Sequence, residues 1–161
     1  MYSPRYIQYL NFPQIPKDIL DALTKPEHLV DLYKSAVMEN KRPAHSYDTY
    51  VWSNELNEQI DAWGKENICP DMYYAFQVMT GLLPIHKDKG TITKLNYVIS
   101  TGGDNVITEF YDDDKTTQLA SYCIPEHRWH IFKADTYHSV VNIEPGQYRF
   151  GITARIFGQN G

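Results

Sequence analysis

The stretch "TKLNYVISTGGDNVITEFYD", residues 93–112, decides the fold. Two short runs rich in Val, Ile, Tyr and Phe flank the cluster "TGGDN". Runs of that length and composition read as strands, and Gly, Asp and Asn between them supply turn chemistry. The pattern repeats on both sides. "DMYYAFQVMT" and "LLPIHKD" precede it; "LASYCIP", "RWHIFKA", "HSVVNI" and "YRFGITARIF" follow. The separators are "TG", "KG", "DDDK", "PEH", "AD" and "EPG". About eight short strands in some 90 residues predict a barrel or jelly roll.

Upstream of residue 71 the period is different. After a short opening strand, "RYIQYLNF", the segment "IPKDILDALT" places Ile19, Leu20 and Leu23 at helical spacing. "TKPEHLVDLYKSAVMEN" opens on Thr24 with Glu27 three residues on, a capping-box pattern, and carries an apolar face of Leu29, Leu32, Tyr33, Ala36 and Val37. "SNELNEQIDAWGKEN" has Ser53 as N-cap and a stripe of Leu56, Ile60 and Trp63. With no repeat, low-complexity tract or linker, the expectation is one domain over 1–161: an α+β, mainly β chain with a helical support over 1–70 and a jelly-roll core over 71–158.

The bulk numbers fit. A chain of 161 residues with 42% hydrophobic content can bury one sizeable core. Fifteen basic against 20 acidic residues, net −5, with no Lys/Arg run, argue against a nucleic-acid surface. Cys69 and Cys123 form no C-x-x-C pair, which argues against a disulfide framework and a thiolate zinc site. The start, "MYSPRYIQYLNF", lacks an apolar signal region, and no apolar run reaches ~18 residues. A soluble, cytoplasmic protein is expected, with no membrane partner.

Chemistry enters at "PIHKDKG", residues 84–90. Residues i and i+2 of a strand share a face, about 6.6 Å apart at a ~3.3 Å rise. His86 and Asp88 therefore offer an imidazole and a carboxylate to the same space. Among later histidines, His127 lies in a turn and His130 alternates out of phase with Trp129 and Ile131, which reads as surface or packing. His138 stands at the mouth of the strand "HSVVNI". Added to His86 and Asp88 it makes a two-histidine, one-carboxylate triad, the ligand set of non-haem Fe(II) oxygenases. Arg149 then falls inside an apolar strand, with Thr153 and Arg155 on its face. A buried guanidinium needs a partner, and the neighbouring strand pattern offers no obvious acid. A ligand carboxylate fits the guanidinium fork.

His86, Asp88, His138 and Arg149, in that order, resemble the 2-oxoglutarate- and Fe(II)-dependent oxygenases, most closely the prolyl-hydroxylase-like branch. The strand "RFGIT" after the distal histidine is similar to that branch, and the six-residue spacing of Arg149 and Arg155 resembles the alkylated-nucleic-acid dealkylases. The match covers roughly residues 72–157. It implies a cupin-like double-stranded β-helix that binds Fe(II), with 2-oxoglutarate as cosubstrate. It also implies a distal carboxylate held by Arg149 and hydroxylation of a peptidyl side chain or small molecule with release of succinate and CO2. A family residue on "LNYVIS" touches the cosubstrate, which here is Asn96 or Tyr97. Gly151 stands where one subgroup has serine, and Thr153 is the expected substitute. Arg155 is assigned to substrate or cosubstrate. Two other readings share parts of this pattern: a non-enzymatic jelly-roll binding module, and a cupin-like metalloenzyme without 2-oxoglutarate. "DDD" at 112–114 reads as a solvated turn, Tyr73, Tyr74, Tyr111 and Tyr122 as core or cavity wall, Trp129 as packing, and both cysteines as inert.

Overall fold

The computed structural model describes residues 6–23, 54–79, 81, 83–88 and 90–156. The expected helix from Thr24 and the Ser53 cap lie outside them. Nine strands and two helices are described: β1 (Ile7–Tyr9), α1 (Lys17–Leu23), α2 (Asn54–Asn67), β2 (Met72–Met79), β3 (Leu83–His86), β4 (Thr93–Ser100), β5 (Ile107–Tyr111), β6 (Gln118–Tyr122), β7 (Trp129–Lys133), β8 (Tyr137–Val141) and β9 (Arg149–Ile156). Every pairing is antiparallel. One sheet runs β1-β7-β4-β9-β2 and the other β3-β8-β5-β6. Strands consecutive in the chain thus alternate between the sheets from β2 to β5, and again from β6 to β9. That winding, with two facing antiparallel sheets, is the jelly roll.

The five-stranded sheet is covered on its outer face. Tyr74, Phe76, Val78, Leu95, Tyr97, Ile99, Trp129, Ile152 and Ala154 turn that way and pack with Ile15, Ile19, Leu56 and Ile60 from the helical segment. Gly64 lies where α2 crosses the Tyr74 ring: a Cβ there would sit 2.5 Å from ring carbons. Helix α2 also seals a sheet edge. Asn57 and Asp61, one turn apart, accept hydrogen bonds from the backbone N–H of Phe76 (2.8 Å) and Tyr74 (2.9 Å) on the edge strand β2. An open edge would otherwise invite pairing with another chain. Burial pushes the Tyr74 phenol up to about 12, and its hydroxyl donates to the Cys69 carbonyl at 3.0 Å.

Between the sheets lie two smaller apolar clusters. Phe110, Phe132, Val98, Ile124 and Ile7 form one; Met79, Leu83, Val106, Val140 and Ile143 form the other. The turn at Asp112–Asp114 is solvated, with Asp114 capping the N–H groups of Thr116 and Thr117. Tyr73 departs from expectation: it is 52% exposed, with the Lys65 ammonium over its ring. No helix among the described residues is long and apolar enough to cross a membrane.

Candidate metal centre and anion pocket

Strand β3 ends on His86, and the position opposite it on β8 is His138. Directly opposed residues of an antiparallel pair share a face a few ångströms apart. The two imidazoles accordingly meet, with ring centroids 4.4 Å apart. Two residues on, the Asp88 backbone N–H donates to the Ala134 carbonyl at 3.0 Å. This brings Asp88 Oδ1 to 3.6 Å from His86 Nε2. One ligand atom from each of the three lies within 4.8 Å of the others.

Each imidazole is aimed by its own strand. His86 Nδ1 is 2.7 Å from the Pro84 carbonyl, and His138 Nδ1 is 2.6 Å from that of Thr136. A carbonyl only accepts, so each Nδ1 carries the proton and each Nε2 presents a lone pair. That is the tautomer a metal ligand needs, fixed by a backbone partner. Burial holds His138 below the usual histidine range, so it is neutral at pH 7. Phe132 stands edge-on to its ring at 4.6 Å.

The cluster opens into a cavity of about 80 Å³, several times the ~10–15 Å³ one water needs. Asn96, Thr153, Arg149, His130, Gln77 and Lys94 add polar groups to its wall. Asn96 faces Thr153 across β4 and β9, and His130 across β4 and β7, so the three form one row. Asn96 Oδ1 and Thr153 Oγ1 are buried without a hydrogen-bond partner. Such groups cost about 1–3 kcal/mol each unless something fills the space and pairs them. Arg149 is 8% exposed. Its Nη1 donates to the Thr101 carbonyl at 3.3 Å, and among the described residues no carboxylate reaches ion-pair distance. Burial lowers its pKa to about 10, with the more distant Glu126 acting against the shift; it stays charged at neutral pH.

The donor set therefore suits a divalent metal with open positions, and the buried cation beside two unsatisfied polar atoms suits an anion reaching it. The structure also separates residues that the sequence left together. Asn96 turns to the cavity, whereas the Tyr97 hydroxyl points away from it, donating to Gln14 Oε1 at 2.9 Å in the helix-side layer. Arg155 shares the face of Arg149 but is exposed, at the position opposite Lys94.

His130 corrects the sequence reading at the surface: it is 1% exposed and lines the cavity. Its Nδ1 donates to the Arg128 carbonyl at 3.2 Å. Burial, with the Arg149 charge nearby, lowers its pKa to about 4. Lys94 was missed altogether, although its place two residues before Asn96 on one strand face was a usable signal. Gly151 gains a reason as well. A Cβ there would lie 2.4 Å from the Tyr97 carbonyl oxygen, beside the irregular register of β4 and β9, so serine has no room without a backbone shift.

No protein-family model and no curated protein matches the chain. Solved structures do. AviO1 from Streptomyces viridochromogenes Tue57 superposes with a TM-score of 0.55 at 11% identity, over 97% of this chain and 91% of its own. EvdMO1 superposes at 0.54 with 14% identity, over 96% of this chain and 48% of its own, so the chain spans about half of that protein. A prolyl-4-hydroxylase from Pseudomonas putida reaches 0.47 at 11% identity, over 95% and 92%, a likeness too loose to bear on function. The first two establish the fold. The chemistry has to come from the residues of the site.

Proposed function

We propose that this protein is an Fe(II)- and 2-oxoglutarate-dependent oxygenase that hydroxylates a small molecule or peptidyl side chain, consuming dioxygen and 2-oxoglutarate and releasing succinate and CO2. One observation carries the reading: a preorganised histidine–aspartate–histidine cluster shares a cavity with a buried guanidinium that no carboxylate among the described residues neutralises. His86, Asp88 and His138 are the residues that would hold iron, which with dioxygen as oxidant and 2-oxoglutarate as co-reductant would supply the oxidising chemistry.

The chain's own part is binding and placement. The Nε2 lone pairs of the two histidines converge with Asp88 because Pro84 and Thr136 hold their other nitrogens. Arg149 offers a charged fork to the far carboxylate of the cosubstrate, and the Thr153 hydroxyl and the Asn96 amide lie on the same wall. Phe110 and Phe132 flank His138 and keep water from its ring. A cupin-like metal enzyme without 2-oxoglutarate would use the triad and leave Arg149, Asn96 and Thr153 unexplained.

The test is thermal. Protein loaded anaerobically with Fe(II), or with Mn(II) as a redox-inert surrogate, should melt higher when 2-oxoglutarate is added. A native-state ligand at a hundredfold excess over Kd contributes ~2.7 kcal/mol. Succinate, lacking the keto acid, should do less. An unchanged melt at saturating 2-oxoglutarate would remove the cosubstrate from the proposal and leave the metal site alone.

A further inference from the structure

The site contains a cation that the oxygenase reading does not use. Lys94 projects from β4 in the five-stranded sheet, between Phe132 and Arg155 in register. Its ammonium reaches the connection between β3 and β4 and lies 2.5 Å from Asp88 Oδ2. Both side chains are 17% exposed. Asp88 Oδ1, on the opposite side of the carboxylate, is the oxygen that faces His86 Nε2.

We infer that Lys94 is a resident counter-cation of the metal centre: it occupies the Asp88 carboxylate in the metal-free protein and competes electrostatically with an incoming divalent metal. The inference rests on the metal half of the proposed function and not on 2-oxoglutarate. Without Lys94, no lysine or arginine among the described residues would lie against the Asp88 carboxylate. With Lys94, the carboxylate is charge-compensated and held on the histidine side before any metal arrives. The same charge then opposes the metal. A +1 and a +2 ion ~5 Å apart repel, even at the dielectric constant of water, enough to weaken binding roughly tenfold. Asp88 keeps its place without the lysine, because its backbone N–H is anchored on the Ala134 carbonyl. Removing the charge should therefore tighten the metal rather than disorder its ligand.

Two substitutions test this. Lys94→Met retains the apolar stem and removes the charge; Lys94→Arg retains the charge. Melting and Mn(II) affinity are measured on the full chain, metal-free and loaded. Lys94→Met should lower the metal-free melting temperature by about 3–6 °C, lose clearly less when loaded, and bind Mn(II) about tenfold more tightly. Lys94→Arg should return to wild-type values. In an Asp88→Asn background, Lys94→Met should leave the melting temperature unchanged. If Lys94→Met does not fold, Lys94→Gln carries the same measurements. Equal losses in both states, with Mn(II) affinity unchanged or weaker, would make Lys94 a structural strut and overturn the inference alone. A wild type that gains no stability from Mn(II) would overturn the metal centre and the inference together.

Discussion

The two sheets of the jelly roll face different surroundings and carry different halves of the site. The five-stranded sheet is buried on both faces, by helices outside and the cavity inside. Its strand β2 is buried or half-buried at every position but Tyr73. In the four-stranded sheet the strand β6 is mostly exposed. The metal-ligating candidates sit on or just beyond strands of the four-stranded sheet. Arg149, Asn96, Thr153 and His130 sit on the five-stranded one. The difference teaches that the candidate metal ligands and the candidate anion wall are supported separately, so substitutions in the anion wall should leave a metal bound, whereas loss of the metal should also loosen a keto acid that reaches it.

The sharpest break of that comparison is at the triad. His138→Ala or Asp88→Ala should weaken Mn(II) or Fe(II) binding by more than a hundredfold, whereas Thr153→Val should leave it within about threefold. Anaerobic calorimetric titration reads both, and equal metal binding by wild type and His138→Ala would sink the ligand assignment. Next comes the doubly buried sheet itself. Gly151→Ser forces a side chain against the Tyr97 carbonyl and should cost about 2–3 kcal/mol in chemical denaturation. Wild-type stability there would mean that β9 can move away from β4. Arg149→Ala should raise the Kd of 2-oxoglutarate about ten- to a hundredfold, with metal affinity intact. Arg149→Lys should recover only part, since an ammonium lacks the planar fork. Unchanged affinity would make Arg149 structural.

A smaller effect follows from His130. Its folded-state pKa, about 4, is below the ~6.5 of an unfolded histidine. Between those values the unfolded chain binds a proton that the folded chain refuses. Stability is therefore full above pH ~6.5 and falls as pH drops towards 4, by on the order of 2 kcal/mol. His130→Gln should flatten that part of a stability–pH profile, and an unaltered profile would show that His130 is hydrated when folded. Arg155→Ala, at the exposed rim, should change 2-oxoglutarate affinity least, within about threefold, read in the same titration.

Where the sequence could be read, and where it could not, follows the same division. Period-two runs located eight strands over 72–156, because side-chain alternation is set by the pleat whatever the surroundings. "TKLNYVIS" coincides with β4 from end to end. The histidine pair with Asp88 was legible because its members lie on or beside one strand pair. For His130, read as surface or packing, the packing half holds and the surface half fails for a physical reason: opposite phase to a buried tryptophan marks the surface only when one face of a sheet meets water. In the five-stranded sheet Trp129 turns to the helices and His130 to the cavity, and both are buried. The same double burial left Asn96 and Tyr97 undecided. Lys94, six residues after Asp88 and in phase with Asn96, escaped because a lysine at the start of a strand ordinarily turns to solvent.

One feature of β3 sets the rate at which such a centre could form and come apart. This four-residue strand is at the edge of its sheet. It meets β8 at Leu83 and His86 with an irregular register between them. Short edge strands are where native structure opens first, at free energies well below that of global unfolding. Two of the three ligands therefore ride on, or just past, a segment prone to fraying. Metal exchange would be timed by this breathing rather than by diffusion through a rigid cavity. Amide hydrogen exchange at Ile85 and Asp88 should slow when the metal is bound, while the interior strand β9 exchanges at one rate with or without it.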